Sequence, residues 1–183
     1  VSRDLFEETL NSDAVYDGVL LKVKRDHVRL PDGKESVREY ITHPGAVVVI
    51  AFLPNGNLLL ERQFRYPLGR TFIEMPAGKI DSGEEPLACA RRELLEETGY
   101  EAENWREIAT IHPCIGYSNE SLIYFLAENL SFSEKNLDEE EFIEHMELPL
   151  ASALDLVRYG EITDVKTVVG LFWAEKIARG EWK

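Results

Sequence analysis

Glu93, Glu96 and Glu97 fall at i, i+3 and i+4 of the segment EPLACARRELLEETGY. On a helix this spacing puts three carboxylates on one face of a single turn. Like charges so placed repel by roughly 0.2–0.5 kcal/mol per exposed pair, and more once desolvated. A hard divalent cation relieves that repulsion: Mg2+ prefers oxygen ligands in octahedral geometry and keeps several of its waters. The loop just upstream, AGKIDSGEE, carries glycines that let a backbone carbonyl turn toward such an ion. Taken alone, the same glutamates equally suit a solvated helix face in an acidic protein, and spacing does not decide between the two.

The elements that must position these groups are legible in outline. Leu87, Ala90, Leu94 and Leu95 recur at three- and four-residue intervals, Pro86 suits an early helical position and Gly99 a C-terminal cap, so one helix is expected over about 85–98. Upstream, VYDGVLLKVKRDHVRL and ESVREYIT flank the turn Pro31-Asp32-Gly33-Lys34 and read as a hairpin. The runs AVVVIAFL and LLLERQFRY, separated by Pro54-Asn55-Gly56-Asn57, are apolar enough for buried central strands. Strands return at WREIATIHP and SLIYFLAENL. ASALDLVRYG and DVKTVVGLFWAEKIARG read as two helices, the second amphipathic and stopped by Gly180. The fold class expected is α+β, with helices set against a mixed sheet.

The 183 residues carry 34 acidic against 20 basic side chains, a formal charge of −14, which disfavours nucleic acid and anionic membranes as partners. An anionic ligand would need a local remedy. With 44% hydrophobic residues the chain can bury a core, but no run approaches the 18 or so apolar residues of a membrane span. The amino end, VSRDLFEETL, does not resemble a secretory signal, and Cys89 and Cys114 suit neither a disulfide framework nor a thiolate zinc site; the expected compartment is the cytoplasm. Composition marks no linker or internal repeat.

The glutamates belong to a longer pattern: Gly78, five residues, Glu84, seven residues, Arg92-Glu93, aliphatic Leu94, one residue, Glu96-Glu97, one residue, Gly99. This resembles the Nudix box, the 23-residue motif of the Nudix hydrolases, with Tyr100 in place of its last aliphatic residue. The resemblance implies a Nudix α/β/α sandwich around a mixed sheet. It also implies a loop-helix-loop that holds divalent cations, Mg2+ or Mn2+ in its place, against a pyrophosphate. By the same resemblance Glu93 and Glu97 are metal ligands, and Glu96 is a ligand or shared-metal contact with a catalytic part. Arg92 and Glu84 would orient these carboxylates, Arg92 thereby serving catalysis.

Beyond the box, ERQFRYPLGRTFIEMPAGKID, HPCIGYSNESLIYFLAENL, DEEEFIEHMELP and GEITDVKT resemble the ADP-ribose pyrophosphatase branch. In that branch the residue before the box glycine, here Ala77, gives a metal its backbone carbonyl. The acidic run Asp138-Glu139-Glu140-Glu141 would be a solvated loop if taken alone. In the branch's pattern it carries the catalytic carboxylate, with Glu139 the first candidate for general base ahead of Glu140, and Glu141 an additional metal contact. Arg65, with Arg62 behind it, is the candidate cation for the substrate's phosphates or ribose. Glu74 could accept from ribose hydroxyls or brace the loop.

The resemblance divides the chain into an amino-terminal β segment over 1–44, used for homodimerisation, and a hydrolase domain over 45–183. Tyr16, Tyr40 or Phe64 could stack on adenine. The activity implied is hydrolysis of ADP-ribose to AMP and ribose 5-phosphate. Ile115 stands where ADP-ribose enzymes typically carry proline, with Pro113 two residues early, which keeps another nucleoside diphosphate sugar such as GDP-mannose, or a dinucleotide, in view. A non-catalytic ADP-ribose sensor is the rival of a different class.

Overall fold

The computed structural model describes residues 5–133 and 142–182. The chain forms two compact units, Val1–Pro44 with Cys114–Ser121, and Gly45–Pro113 with Leu122–Lys183.

In the first unit the Pro31–Lys34 turn closes with Gly33 at φ +88° and its amide donating to the Leu30 carbonyl at 2.8 Å. It joins two of three antiparallel strands: β1 (Glu8–Asp17), β2 (Lys22–Arg29) and β3 (Glu35–Thr42), in the order β1-β2-β3. The expected hairpin forms as β2 and β3, and β1 adds a third strand to it. β1 escaped the sequence reading because all ten of its residues are exposed, so it carries no apolar alternation. Its register slips between Thr9 and Asn11 and again between Ala14 and Tyr16. Cross-strand ion pairs such as Arg25–Glu39 line this sheet.

The second unit is organised by β4 (Ala46–Ala51), every residue of which is buried. Successive side chains leave opposite faces of a strand, so a run buried throughout must be covered on both sides. One face, with Val48 and Ile50, packs with Ala153, Leu171 and Ala174; the other, with Val47 and Val49, packs with Cys89, Ala90 and Leu94. β5 (Leu58–Arg65) and β6 (Arg70–Glu74) follow, then β7 (Ala77–Lys79), helix α1 (Pro86–Thr98), β8 (Tyr100–Ile111), β9 (Leu122–Phe132), β10 (Ile143–Leu148), α2 (Leu150–Arg158) and α3 (Val165–Ala178). One sheet is mixed, ordered β7-β4-β9-β8 with only β4 and β9 parallel; the other is antiparallel, ordered β10-β5-β6. Helices α1 and α3 supply the two covers of β4, which makes the layered α+β sandwich expected.

Three sequence expectations change in detail. Strands β6, β7 and β10 are only three to six residues long and show no extended alternation. β8 begins at Tyr100, before WREIATIHP. Helix α3 is apolar around much of its circumference rather than amphipathic: it buries Leu171 and Ala174 while leaving Val165 and Phe172 exposed. Tyr100, the departure from the box, packs on the core around Leu94 and meets Phe132 edge-to-face at 5.4 Å, a packing role for a packing position.

Candidate active site

Helix α1 is built to hold its carboxylates still. Pro86 opens it with a φ preset for the first helical position, and Gly99 closes it in the left-handed region at φ +75°, its amide donating to the Leu95 carbonyl at 2.8 Å. Leu94, fully buried against β4, anchors the helix with roughly 1.5–3 kcal/mol of apolar burial. The register that buries Leu94 turns its neighbours Glu93 and Glu97 toward β7.

There Glu97 Oε2 accepts the Ala77 amide at 3.0 Å, and the carboxylate is only 5% exposed. Glu93 presses on the next residue: a Cβ built on Gly78 would lie 1.9 Å from its carboxylate. Ala77, Glu93 and Glu97, named separately in the sequence, are thus brought together by one strand and one helical turn. The box glycine is explained by contact, since only a residue without a side chain admits Glu93 there.

Arg92 ties the remaining acids. Its Nε and Nη2 reach Glu84 Oε1 and Oε2 at 2.9 and 3.0 Å, and Nη1 reaches Glu93 Oε1 at 2.9 Å and Glu96 Oε2 at 3.0 Å. Nη2 also donates to the Lys79 carbonyl at 3.3 Å. These partners, Glu84 foremost, raise the Arg92 pKa further, so the guanidinium is permanently charged. Glu84 in turn accepts the Asp81 amide at 3.0 Å, joining the loop to the helix. Buried Cys89 donates Sγ to the Lys79 carbonyl at 3.3 Å; burial, then nearby Glu84, push its thiol up to about 12, so it is an inert packing group.

The Arg92 hydrogen bonds, followed by the Asp81 amide, hold Glu84 down to about 2 from its ordinary 4.5. A depressed carboxylate stabilises the fold fully above its unfolded pKa and loses that contribution as pH falls through its folded one. The gap in Tm between wild type and Glu84→Gln is therefore expected to be widest near neutral pH and to close between about pH 4.5 and 2. Thermal melts of both proteins at pH 7, 4 and 2 check this.

One guanidinium against three carboxylates, with Glu97 close by, leaves the turn strongly negative. Among the described residues no three Asp, Glu, His or Cys side chains converge as a ready-made ligand shell; Glu93 and Glu96 lean on Arg92, and Glu97 on the Ala77 amide. The donor chemistry nevertheless suits a hard divalent ion. All candidate ligands are oxygens, from Glu93, Glu96, Glu97 and the Ala77 carbonyl, and Gly78 keeps Glu93 against the strand that carries that carbonyl.

The other expected residues divide. Arg65 Nε and Nη2 form a fork on Glu74 at 2.7 Å each, and Lys166 Nζ also donates to Glu74 Oε2. Glu74 is 2% exposed with both oxygens engaged. Of the two roles expected for it, acceptor for ribose hydroxyls or brace, these contacts are those of a brace, here on Arg65. Burial alone would raise its pKa, but Arg65 and Lys166 outweigh it and hold Glu74 below the ordinary carboxylate range. Arg62, three residues from Arg65 on β5, leaves the opposite face of that strand and pairs with Glu144 at 2.7 Å. Glu139, Glu140 and Glu141 lie outside the described residues.

Some participants carry little signal in the sequence. His145 on β10 bonds the Glu97 carbonyl through Nε2, Glu61 is buried directly across from Glu74, and Asp164 and Thr167 cap α3. Only the cap was legible, as an acceptor three residues ahead of the threonine whose amide it takes.

This fold and this site define the class. A NUDIX domain model matches residues 42–166, and a nucleoside diphosphate sugar hydrolase N-terminal domain model matches residues 7–41. The chain belongs to the Nudix family and is a Nudix hydrolase by its relatives. It is 43% identical over 171 residues to the ADP-ribose pyrophosphatase of Bacillus subtilis (strain 168), covering 92% of each chain. It is 39% identical to the methanol dehydrogenase activator of Bacillus methanolicus, covering 91% of this chain and 92% of that one. In fold it matches a crystal structure of an ADP compounds hydrolase with a TM-score of 0.88 at 23% identity, over 98% of both chains. Nudix hydrolases in general use divalent metal ions, in keeping with the oxygen donors gathered at β7.

Proposed function

We propose that this protein hydrolyses the pyrophosphate bond of ADP-ribose to AMP and ribose 5-phosphate with Mg2+ as its metal. The observation that carries the reading is the packing of α1 onto β7, where Glu97 meets the Ala77 amide and Glu93 meets Gly78. The likeness to the Bacillus subtilis pyrophosphatase supports the choice of substrate.

Glu93, Glu96, Glu97 and the Ala77 carbonyl would hold the metal. Bound Mg2+, or Mn2+ in its place, would neutralise the diphosphate, polarise phosphorus and lower the pKa of a coordinated water. Arg92 keeps Glu93 and Glu96 oriented through two hydrogen bonds from one nitrogen. Arg65, fixed by Glu74 and partly exposed, presents a cation to the substrate's phosphates or ribose. Glu139 is the proposed base that takes the proton of the attacking water, and Glu141 a further metal contact. The water oxygen forms a bond to one phosphorus as the bridging P–O bond breaks, and the other phosphate leaves with the bonding electrons.

A substrate panel read by mononucleotide release tests this. kcat/KM for ADP-ribose is expected to exceed that for GDP-mannose and for dinucleotides by about tenfold or more. The reverse ranking would reassign the substrate, and binding of ADP-ribose without turnover would make the protein a sensor.

The first unit is proposed to pair two copies of the chain, leaving Tyr16 and Tyr40 as candidates for stacking on adenine. Val19, Leu20 and Leu21, in and beside the β1–β2 connection, are all exposed in the single chain, a run of apolar side chains that a second copy would cover. Sedimentation is expected to show twice the 20.9 kDa chain mass, with Leu20→Asp shifting the population toward monomer. The proposed compartment is the cytoplasm, where free thiols such as Cys89 persist.

A further inference from the structure

Arg65 uses Nε and Nη2 on Glu74 and has Nη1 left to donate. What keeps that fork in place lies on α3, 92 residues from Glu74 in the chain. Lys166 Nζ donates to Glu74 Oε2, the oxygen that also accepts from Arg65 Nη2, and to Asp164 Oδ2 at 3.0 Å. Asp164 caps α3: the same oxygen accepts the Thr167 amide at 3.0 Å and the Thr167 hydroxyl at 2.7 Å. Thr167 Oγ1 accepts the Met75 amide at 2.9 Å, tying the cap to the residue next to Glu74. Lys166 is only 13% exposed in its side chain and Glu74 2%, whereas Arg65 is 43% exposed. The cluster thus has a buried, doubly anchored end and an open end carrying the arginine.

The structure assigns Lys166 the part of a positioning residue that holds Glu74, and through it Arg65, in the orientation that meets the substrate's anionic group. This rests on the proposed reading of Arg65 as a substrate contact. With Lys166 present, Glu74 has a second cation and is fixed from behind. Without it, Glu74 loses its anchor to α3 and can change rotamer, so the fork that Arg65 makes on it is no longer held in one place. A long arginine side chain released from one geometry loses the advantage of preorganisation, which is felt in substrate binding.

The test is a double-mutant cycle on the full chain with ADP-ribose and Mg2+, using Lys166→Met, Arg65→Met and both together. Lys166→Met is expected to raise KM about tenfold with kcat within about twofold, the scale on which orienting partners act. Lys166→Arg, which keeps charge and donors, is expected to restore KM. In the Arg65→Met background Lys166→Met is expected to add nothing, because its effect passes through the arginine. Additive effects in the cycle would overturn the assignment, since a general loss of positive charge or of fold does not depend on Arg65. An unchanged KM in Lys166→Met with a raised KM in Arg65→Met would overturn it while sparing the reading of Arg65. An unchanged KM in Arg65→Met would overturn both. Thermal melts accompany each variant, and Lys166→Gln, which keeps a donor for Glu74, replaces Lys166→Met if the latter does not fold.

Discussion

Glu97→Gln is expected to lower kcat about a thousandfold, equivalent to about 4 kcal/mol of lost transition-state stabilisation, while the protein remains folded. The fold should survive because an amide oxygen can still accept from the Ala77 N–H, now met by the carboxylate at 3.0 Å, in a side chain of nearly the same volume. What the substitution removes is the negative charge, at a position 5% exposed where charge is least screened by water. A neutral amide there is a weaker ligand for a hard cation and no longer offsets its charge. Steady-state kinetics with ADP-ribose, paired with a thermal melt, separate the two effects. A variant that retains kcat within a few-fold would remove Glu97 from the reaction.

Gly78→Ala should be nearly as damaging to activity, at little cost to the fold. Gly78 is not among the glycines at positive φ, so alanine meets no backbone strain. The three atoms nearest the new Cβ all belong to the Glu93 carboxylate, the closest at 1.9 Å. That carboxylate is the far end of a flexible side chain and can swing aside, so the change in Tm should stay within a few degrees, as for a stability change of about 1 kcal/mol. The displaced Glu93 would be an ångström or more from its place, and misplacement on that scale costs about a hundredfold in rate. Loss of activity with the melt preserved is the expected outcome. Parallel loss of both would mean that Gly78 serves the fold rather than Glu93.

Much of this machinery was readable because it is local. The i, i+3, i+4 glutamates, the Pro86 start and the Gly99 stop are consequences of one helix, and that helix forms where its spacing predicts. The buried run of β4 likewise announced a strand covered on both faces. The separation of Arg62 from Arg65 was available too, since three residues along a strand reverse the face, but the resemblance had grouped them. Other features depend on partners distant in sequence. The contact of Lys166 with Glu74 and that of His145 with the Glu97 carbonyl bridge dozens of residues, and no pattern within either segment encodes them. Glu74 stayed open between a ribose acceptor and a brace because nothing in FIEMPAG reveals that two cations close over it. β1 went unread for the opposite reason: a fully exposed strand has no apolar rhythm to read.

Titration of MgCl2 into the protein by isothermal calorimetry, with a non-hydrolysable ADP-ribose analogue present, tests most directly whether the acidic turn of α1 and the Ala77 carbonyl hold the metal. Saturable uptake by wild type is expected, lost or greatly weakened when Glu93 and Glu97 are both replaced by glutamine in a protein that still melts cooperatively. No uptake by wild type, or equal uptake by the doubly substituted protein, would contradict the assignment of this turn as the metal site.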